Sequence, residues 1–247
     1  SHPVKDQATS DNAPDTMPRI IFHLGTYKTG TSSIQNYLYE NRAALLKNGL
    51  LYPETGLTKS GKLGYRHTPI LHKFMAGTQA PAPQALIDEI KRADCDTVVL
   101  SSEAWSAPGA FSHLNRCVCD LKDNGFGDIG AVLMLRNIAE YRVSHFREFT
   151  CNQNNAKPYE DYVHGRHGVF DYLLLVRVFA ALFGPQLSVL TFGAGKDSLG
   201  SFKEALGANA FDGVSEPTAR ANTKSVDAVD VEILRCLTLH CQHMTLS

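Results

Sequence analysis

RIIFHLGTYKTGTSSIQNYL, Arg19 to Leu38, is the stretch around which the chain is organised. It opens on Ile20-Ile21-Phe22, the short β-branched and aromatic run of a buried strand. It then breaks into Gly25-Thr26-Tyr27-Lys28-Thr29-Gly30-Thr31, and from Ser32 the pattern is helical. Ile34, Tyr37, Leu38 and Leu45 fall at helical spacing, and Gly49 supplies a stop. Strand, Gly/Thr/Lys loop and helix together make an anion cradle. Small residues let backbone N–H groups approach a ligand, the helix N-terminus adds partial positive charge, and hydroxyls with one lysine complete the shell. Thr26, Tyr27, Lys28, Thr29, Gly30, Thr31 and Ser32 are therefore the candidate binding residues for a phosphate-type ligand. The other reading is a loop whose glycines serve only a tight turn.

The loop is not a Walker A motif, in which Lys-Ser/Thr directly follows the second glycine. Here Lys28 precedes Gly30 and Thr31 follows it, which argues against a mononucleotide kinase or GTPase. HLGTYKTGTSSIQ instead resembles the 5′-phosphosulfate-binding loop of sulfotransferases that use 3′-phosphoadenosine 5′-phosphosulfate (PAPS). The likeness is to their bacterial and carbohydrate-modifying branches, where a Lys-Thr-Gly-Thr core follows the first strand.

Bulk composition frames this reading. A chain of 247 residues suits one α/β domain, and 43% hydrophobic residues suffice for a sizeable core. Residues 1–18 are polar, carry three prolines and read as a disordered leader or tag remnant; residues 19–247 read as a single domain. The net charge of -1 gives no global basic field for nucleic acid. No apolar run approaches the roughly 18 residues of a membrane span. Six cysteines, sparse and irregularly spaced, argue against a disulfide framework and fit a reducing cytoplasm. Cys236, His240, Cys241 and His243 stand at helical spacing near the chain end. They read as a metal-ligating face or as a plain cysteine- and histidine-bearing helix.

Farther along, Ala131 to Leu135 reads as a strand followed at once by Arg136 and a helix carrying Ser144 eight positions on. A guanidinium at a strand end and a hydroxyl on the following helix can close around one phosphate. Sulfotransferases hold the 3′-phosphate of their donor with an Arg and a Ser at this spacing, and Arg136 and Ser144 match them. Between the two cradles, Thr97 to Leu100 reads as one strand ending in Ser101-Ser102-Glu103. Ligands of open α/β sheets bind outside the carboxyl ends of strands, so Glu103 is either a catalytic carboxylate or a helix-cap and salt-bridge partner. The segment after Gly49 reads as a turn and irregular stretch leading into a short helix near Ile70 to Met75. His67 lies within it, with an intrinsic pKa suited to a base near neutral pH. The polar stretch Asn152 to Gly168, with His164, Arg166 and His167, reads as an acceptor-site cover or a surface excursion. Phe170 to Phe183 reads as a largely buried helix, and Leu187 to Phe192 as another buried strand. Family members often carry a Tyr-Glu pair after that strand, where this chain has Gly193-Ala194-Gly195-Lys196.

The resemblance implies a three-layer α/β sandwich with a mostly parallel central sheet and a P-loop-like donor site. It implies PAPS as donor, 3′-phosphoadenosine 5′-phosphate as product, no metal, and a hydroxyl or amine acceptor such as a carbohydrate. Lys28 would be catalytic together with Glu103, or His67 in its place, as general base. The segment from Ala219 to Ser225, with Arg220, Asn222 and Ser225, resembles the late loop that closes over the donor's 3′-phosphate and adenosine; the other reading is a linker to the last helix, Val229 to Leu239. The rivals are a nucleotide-dependent phosphotransferase and a non-catalytic nucleotide-binding module on the same scaffold.

Overall fold

Strand β1 (Arg19–Gly25) is buried along nearly its whole length and forms the middle of a five-stranded sheet. The computed structural model describes residues 17–26, 29–58, 65–75, 83–193, 197–216 and 227–244. Helix α1 (Thr31–Glu40) follows β1, and Asn41 separates it from α2 (Arg42–Lys47), so the expected single helix is two. Gly49, at φ +81°, turns the chain into β2 (Leu50–Leu51). That two-residue strand lies in a segment read from sequence as irregular. It is too short to show a period of its own.

Helices α3 (Thr68–Met75) and α4 (Gln84–Arg92) lead to β3 (Thr97–Ser101), and α5 (Phe111–Asp123) leads to β4 (Ile129–Arg136). Next come α6 (Ile138–Asn152), α7 (Tyr159–Gly165), α8 (Tyr172–Phe183) and β5 (Leu187–Phe192). Helices α9 (Ser198–Leu206) and α10 (Ala228–Met244) complete the described elements. All strand pairs are parallel, in the order β2-β3-β1-β4-β5.

Helices cover both faces, as a parallel sheet requires. On one side Phe22, Leu24 and Leu133 pack with Leu86 of α4, Leu114 of α5 and Phe179 of α8; on the other Ile21 and Met134 pack with Ile34 of α1 and Phe202 of α9. A smaller cluster joins α6, α7 and α10 through Tyr141, Tyr162 and Val231. The sheet's edge departs from expectation. Val189 of β5 is 42% exposed and Leu173 of α8 is 61% exposed, where a buried strand and a core helix were expected. Val189 lies on the edge strand β5, which has a neighbour on one flank only among the described residues.

Three histidines are buried in neutral form. Burial lowers His23 to about 3 and both His67 and His145 to about 4, from 6.5. In the unfolded chain these rings take up protons near 6.5, while in the fold they stay neutral until the lower values. Their contribution is therefore complete above about pH 6.5 and is lost as pH falls toward about 4. Each adds a slope of up to about 1.4 kcal/mol per pH unit across that window. The denaturant midpoint should accordingly fall markedly between pH 7 and pH 5, and a flat midpoint would contradict this assignment.

None of the six cysteines, all described, forms a disulfide; burial pushes Cys95 up to about 11 and Cys117 up to about 12. Among the described residues no helix is long and apolar enough to cross a membrane, and no three His, Cys, Asp or Glu side chains gather as a metal site. The side chain of His243 lies outside that description.

Candidate functional site

The candidate site forms where β3, β1 and β4 end side by side. Neighbouring strands stand ~4.8 Å apart, so the residues just beyond them share one edge. β1 gives way to Thr26 and the loop, β4 ends at Arg136, and β3 runs into Ser102 and Glu103. The chain separates the two cradles by β2 and β3, two strands rather than the one expected. In space nothing separates them, because β1 pairs directly with β4.

The loop is tied down where it is described. The Thr26 N–H donates to the Met134 carbonyl at 3.1 Å, and the Thr29 hydroxyl donates to the Thr26 carbonyl at 2.8 Å. Gly30 occupies the N-cap position of α1 at φ +79°, and no side chain caps the helix. An uncapped first turn leaves N–H groups and the positive end of the helix dipole for an anion. Gly30 is required twice over. An L-residue there costs roughly 1–2 kcal/mol, and an added Cβ would lie 2.5 Å from the Ser198 hydroxyl of α9. Gly30→Ala should thus cost about 1–2 kcal/mol in denaturant unfolding and weaken anion binding at α1 more than stability. A variant matching wild type in both would show that the cradle does not need this backbone. Tyr27 and Lys28 lie outside the described residues, as do Arg220, Asn222 and Ser225.

Arg136 ends β4, and its Nε donates to Glu140 at 2.9 Å, one turn into α6. Ser144 follows one turn later, so Glu140 and Ser144 share one face of α6, and the strand-end Arg136 reaches that face through Glu140. The guanidinium carbon also lies 5.9 Å from the centre of the Phe192 ring on β5. Glu140 therefore takes part of Arg136's capacity, but an exposed ion pair contributes only about 0.2–1 kcal/mol.

Glu103 is 5% exposed and lies in a short 3-10 turn whose N-cap, Ser102, accepts from the Ala104 N–H. Its carboxylate accepts from Gln35 Nε2 at 3.2 Å and pairs with Arg66. Gln35, on α1, also donates to the Ser101 hydroxyl at 3.1 Å, and that hydroxyl reaches His23 Nδ1 at 2.8 Å. Arg66 Nη2 in turn lies 3.4 Å from the Ser32 hydroxyl in the first turn of α1. One polar chain thus runs from the centre of β1 through β3, α1 and Glu103 back to the cradle. Sequence reasoning missed Arg66, Gln35 and His23. The only local signal was a polar residue in each of two otherwise apolar patterns.

His67 has both ring nitrogens engaged. Nε2–H donates to the Pro53 carbonyl at 3.0 Å, Nδ1 accepts from the Ser101 N–H at 3.0 Å, and the residue is fully buried. This pins the loop to the end of β3 and leaves no nitrogen for a substrate proton. On the other flank the Tyr172 hydroxyl lies 3.4 Å from Thr26 Oγ1. His164 and His167 line a separate depression with Arg142, Tyr159 and Asp171.

No protein-family model and no curated protein sequence matches the chain. Among solved structures it is similar to a sulfotransferase from Alicyclobacillus acidocaldarius, with 15% identity over 92% of this chain and 96% of that one, at a TM-score of 0.51. At that identity the likeness establishes a shared fold: a parallel five-stranded sheet with helices on both faces, arranged as in a bacterial sulfotransferase.

Proposed function

We propose that the chain is a sulfotransferase that moves the sulfuryl group of PAPS to a hydroxyl or amine acceptor, a carbohydrate among the candidates. The observation that carries this reading is the adjacency of β1 and β4, which sets an uncapped helix N-terminus beside Arg136, with Glu103 on β1's other flank. Such an edge suits a donor with a phosphosulfate at one end and a 3′-phosphate at the other. The α1 cradle, completed by Lys28, would hold the 5′ end, and Arg136 with Ser144 the 3′-phosphate. Arg220, Asn222 and Ser225 would close over the nucleotide.

Bound, the donor supplies an activated sulfuryl group, whose S–O bond to the phosphate breaks as the acceptor's bond to sulfur forms. Lys28 would set its charge against the bridging oxygen as that oxygen becomes negative, an interaction strongest in the transition state. Glu103 would take the acceptor's proton. A carboxylate accepting from Arg66 and Gln35 still has lone pairs for a third donor. Fixed donors and a lysine meet the charge without a metal. Six sparse, irregularly spaced cysteines fit a reducing compartment, the cytoplasm.

The test is incubation with PAPS labelled on its sulfuryl group and a panel of oligosaccharides, phenols and amines, with and without Mg²⁺. Label transfer independent of metal is the expected result. Binding of 3′-phosphoadenosine 5′-phosphate without transfer would pass the reading to a non-catalytic module. Transfer of phosphate from ATP with Mg²⁺ would pass it to a phosphotransferase.

Arg136 supplies a further prediction. Hydrogen bonds to charged groups contribute about 1.5–3 kcal/mol each, so Arg136→Ala should erase most of the preference for 3′-phosphoadenosine 5′-phosphate over 5′-AMP. Calorimetric titration of both nucleotides measures it, and an unchanged preference would remove Arg136 from the site.

A further inference from the structure

Arg66 is held more firmly than a surface ion pair requires. Tyr65, just before it, has φ +69°, a left-handed conformation that a bulky side chain rarely adopts. Strain of this kind persists only where the surroundings over-determine it, and it clusters at functional sites. The surroundings here do so. The Tyr65 ring stacks on Tyr39 with centres 3.8 Å apart, and its carbonyl accepts from the Tyr52 hydroxyl at 2.6 Å. Its N–H donates to the Thr58 carbonyl at 2.7 Å, and the Thr58 N–H donates to the Arg66 carbonyl at 2.8 Å. On the other side His67 is locked to Ser101 and Pro53. Arg66 is thereby fixed from both neighbours.

Its guanidinium points where a cation is least at home. One terminal nitrogen pairs with Glu103 and the other reaches Ser32 in the first turn of uncapped α1, so a fixed cation stands beside the positive end of a helix dipole. Glu103 offsets that charge in part. The donor Arg66 Nε is nonetheless buried with no hydrogen-bond partner among the described residues. A pair whose whole task was structural would not need the helix terminus. An oxyanion placed between Arg66 and the α1 first turn would answer the excess positive charge.

We infer that Arg66 is a ligand-binding residue: it holds the oxygens of the donor's transferring sulfuryl group, a tetrahedral oxyanion, and Glu103 with Gln35 orients it. This rests on the PAPS reading. Its guanidinium fork supplies directional donors to the three sulfuryl oxygens, whereas Lys28 serves the bridging oxygen as a point charge. The consequence is a discrimination that no merely structural pair would make: Arg66 should matter for PAPS and not for 3′-phosphoadenosine 5′-phosphate, which lacks the sulfuryl group.

The experiment is acceptor-free calorimetric titration of wild type, Arg66→Lys and Arg66→Gln with each nucleotide. Arg66→Gln should bind PAPS roughly tenfold to 100-fold more weakly, the loss of one charge-assisted contact, while 3′-phosphoadenosine 5′-phosphate changes less than threefold. Arg66→Lys should fall between. Removing Arg66 alone strands the Glu103 carboxylate and can unfold the site. The double variant Arg66→Gln/Glu103→Gln leaves no unpaired buried charge and should show the same selective loss. Equal losses for both nucleotides, or no loss for either, would overturn the inference while leaving the PAPS reading intact. Failure of wild type to bind 3′-phosphoadenosine 5′-phosphate at all would overturn both.

Discussion

Lys28→Ala is expected to lower kcat by roughly 10²–10³-fold, the range for removing one preorganised donor from a developing oxyanion. Its partner charge grows only as the bond from sulfur to the leaving oxygen breaks, so the loss should fall on turnover. Affinity for 3′-phosphoadenosine 5′-phosphate should change by less, because the α1 N-terminus and Arg136 remain. The measurement is kcat from label transfer beside calorimetric Kd for the same variant. Turnover at the wild-type rate would remove Lys28 from the chemistry.

Glu103→Gln should also cost roughly 10²–10⁴-fold in kcat, as loss of a general base does. The amide keeps the shape and can still bond Gln35, but it leaves the Arg66 guanidinium without its counter-charge, so the denaturant midpoint is measured beside kcat to show that the variant is folded. His67→Asn is the contrast. With both ring nitrogens bonded inside the protein, its substitution should lower stability, by about 1–3 kcal/mol for each buried group left unpaired, and leave kcat of the folded protein within a few-fold of wild type. Loss of kcat in His67→Asn with near-normal Glu103→Gln would exchange their roles.

The contrast between these residues marks what the sequence could show. The strand, loop and helix of Arg19 to Leu38 were legible because each signal is short-range: a β-branched run, a glycine-hydroxyl loop, a 3.6-residue period. Glu103 and Arg136 were legible as edge residues because Arg136 follows an apolar run directly and Glu103 follows one after two serines. His67 read as a candidate base on its intrinsic pKa. Its burial comes from Ser101 and Pro53, far from it in the chain, and no pattern within its own segment reports them. Arg66 was missed for the same reason, since its meaning comes from Glu103 and Ser32. Leu173 and Val189 resemble core residues in any window. Only the strand order places Val189 at an edge, and strand order is non-local. Leu50-Leu51 was missed as a strand because two residues pairing with Thr97 and Val98 carry no alternation to detect.

The central claim is that one ligand with a phosphate at each end spans the neighbouring termini of β1 and β4. Calorimetric titration of the wild-type chain with 3′-phosphoadenosine 5′-phosphate and with 5′-AMP, in metal-free buffer, tests it most directly. A preference of several kcal/mol for the bis-phosphate is the expected result, from charge-assisted bonds of about 1.5–3 kcal/mol each at Arg136 and its neighbours. Equal affinity for the two nucleotides would contradict the account.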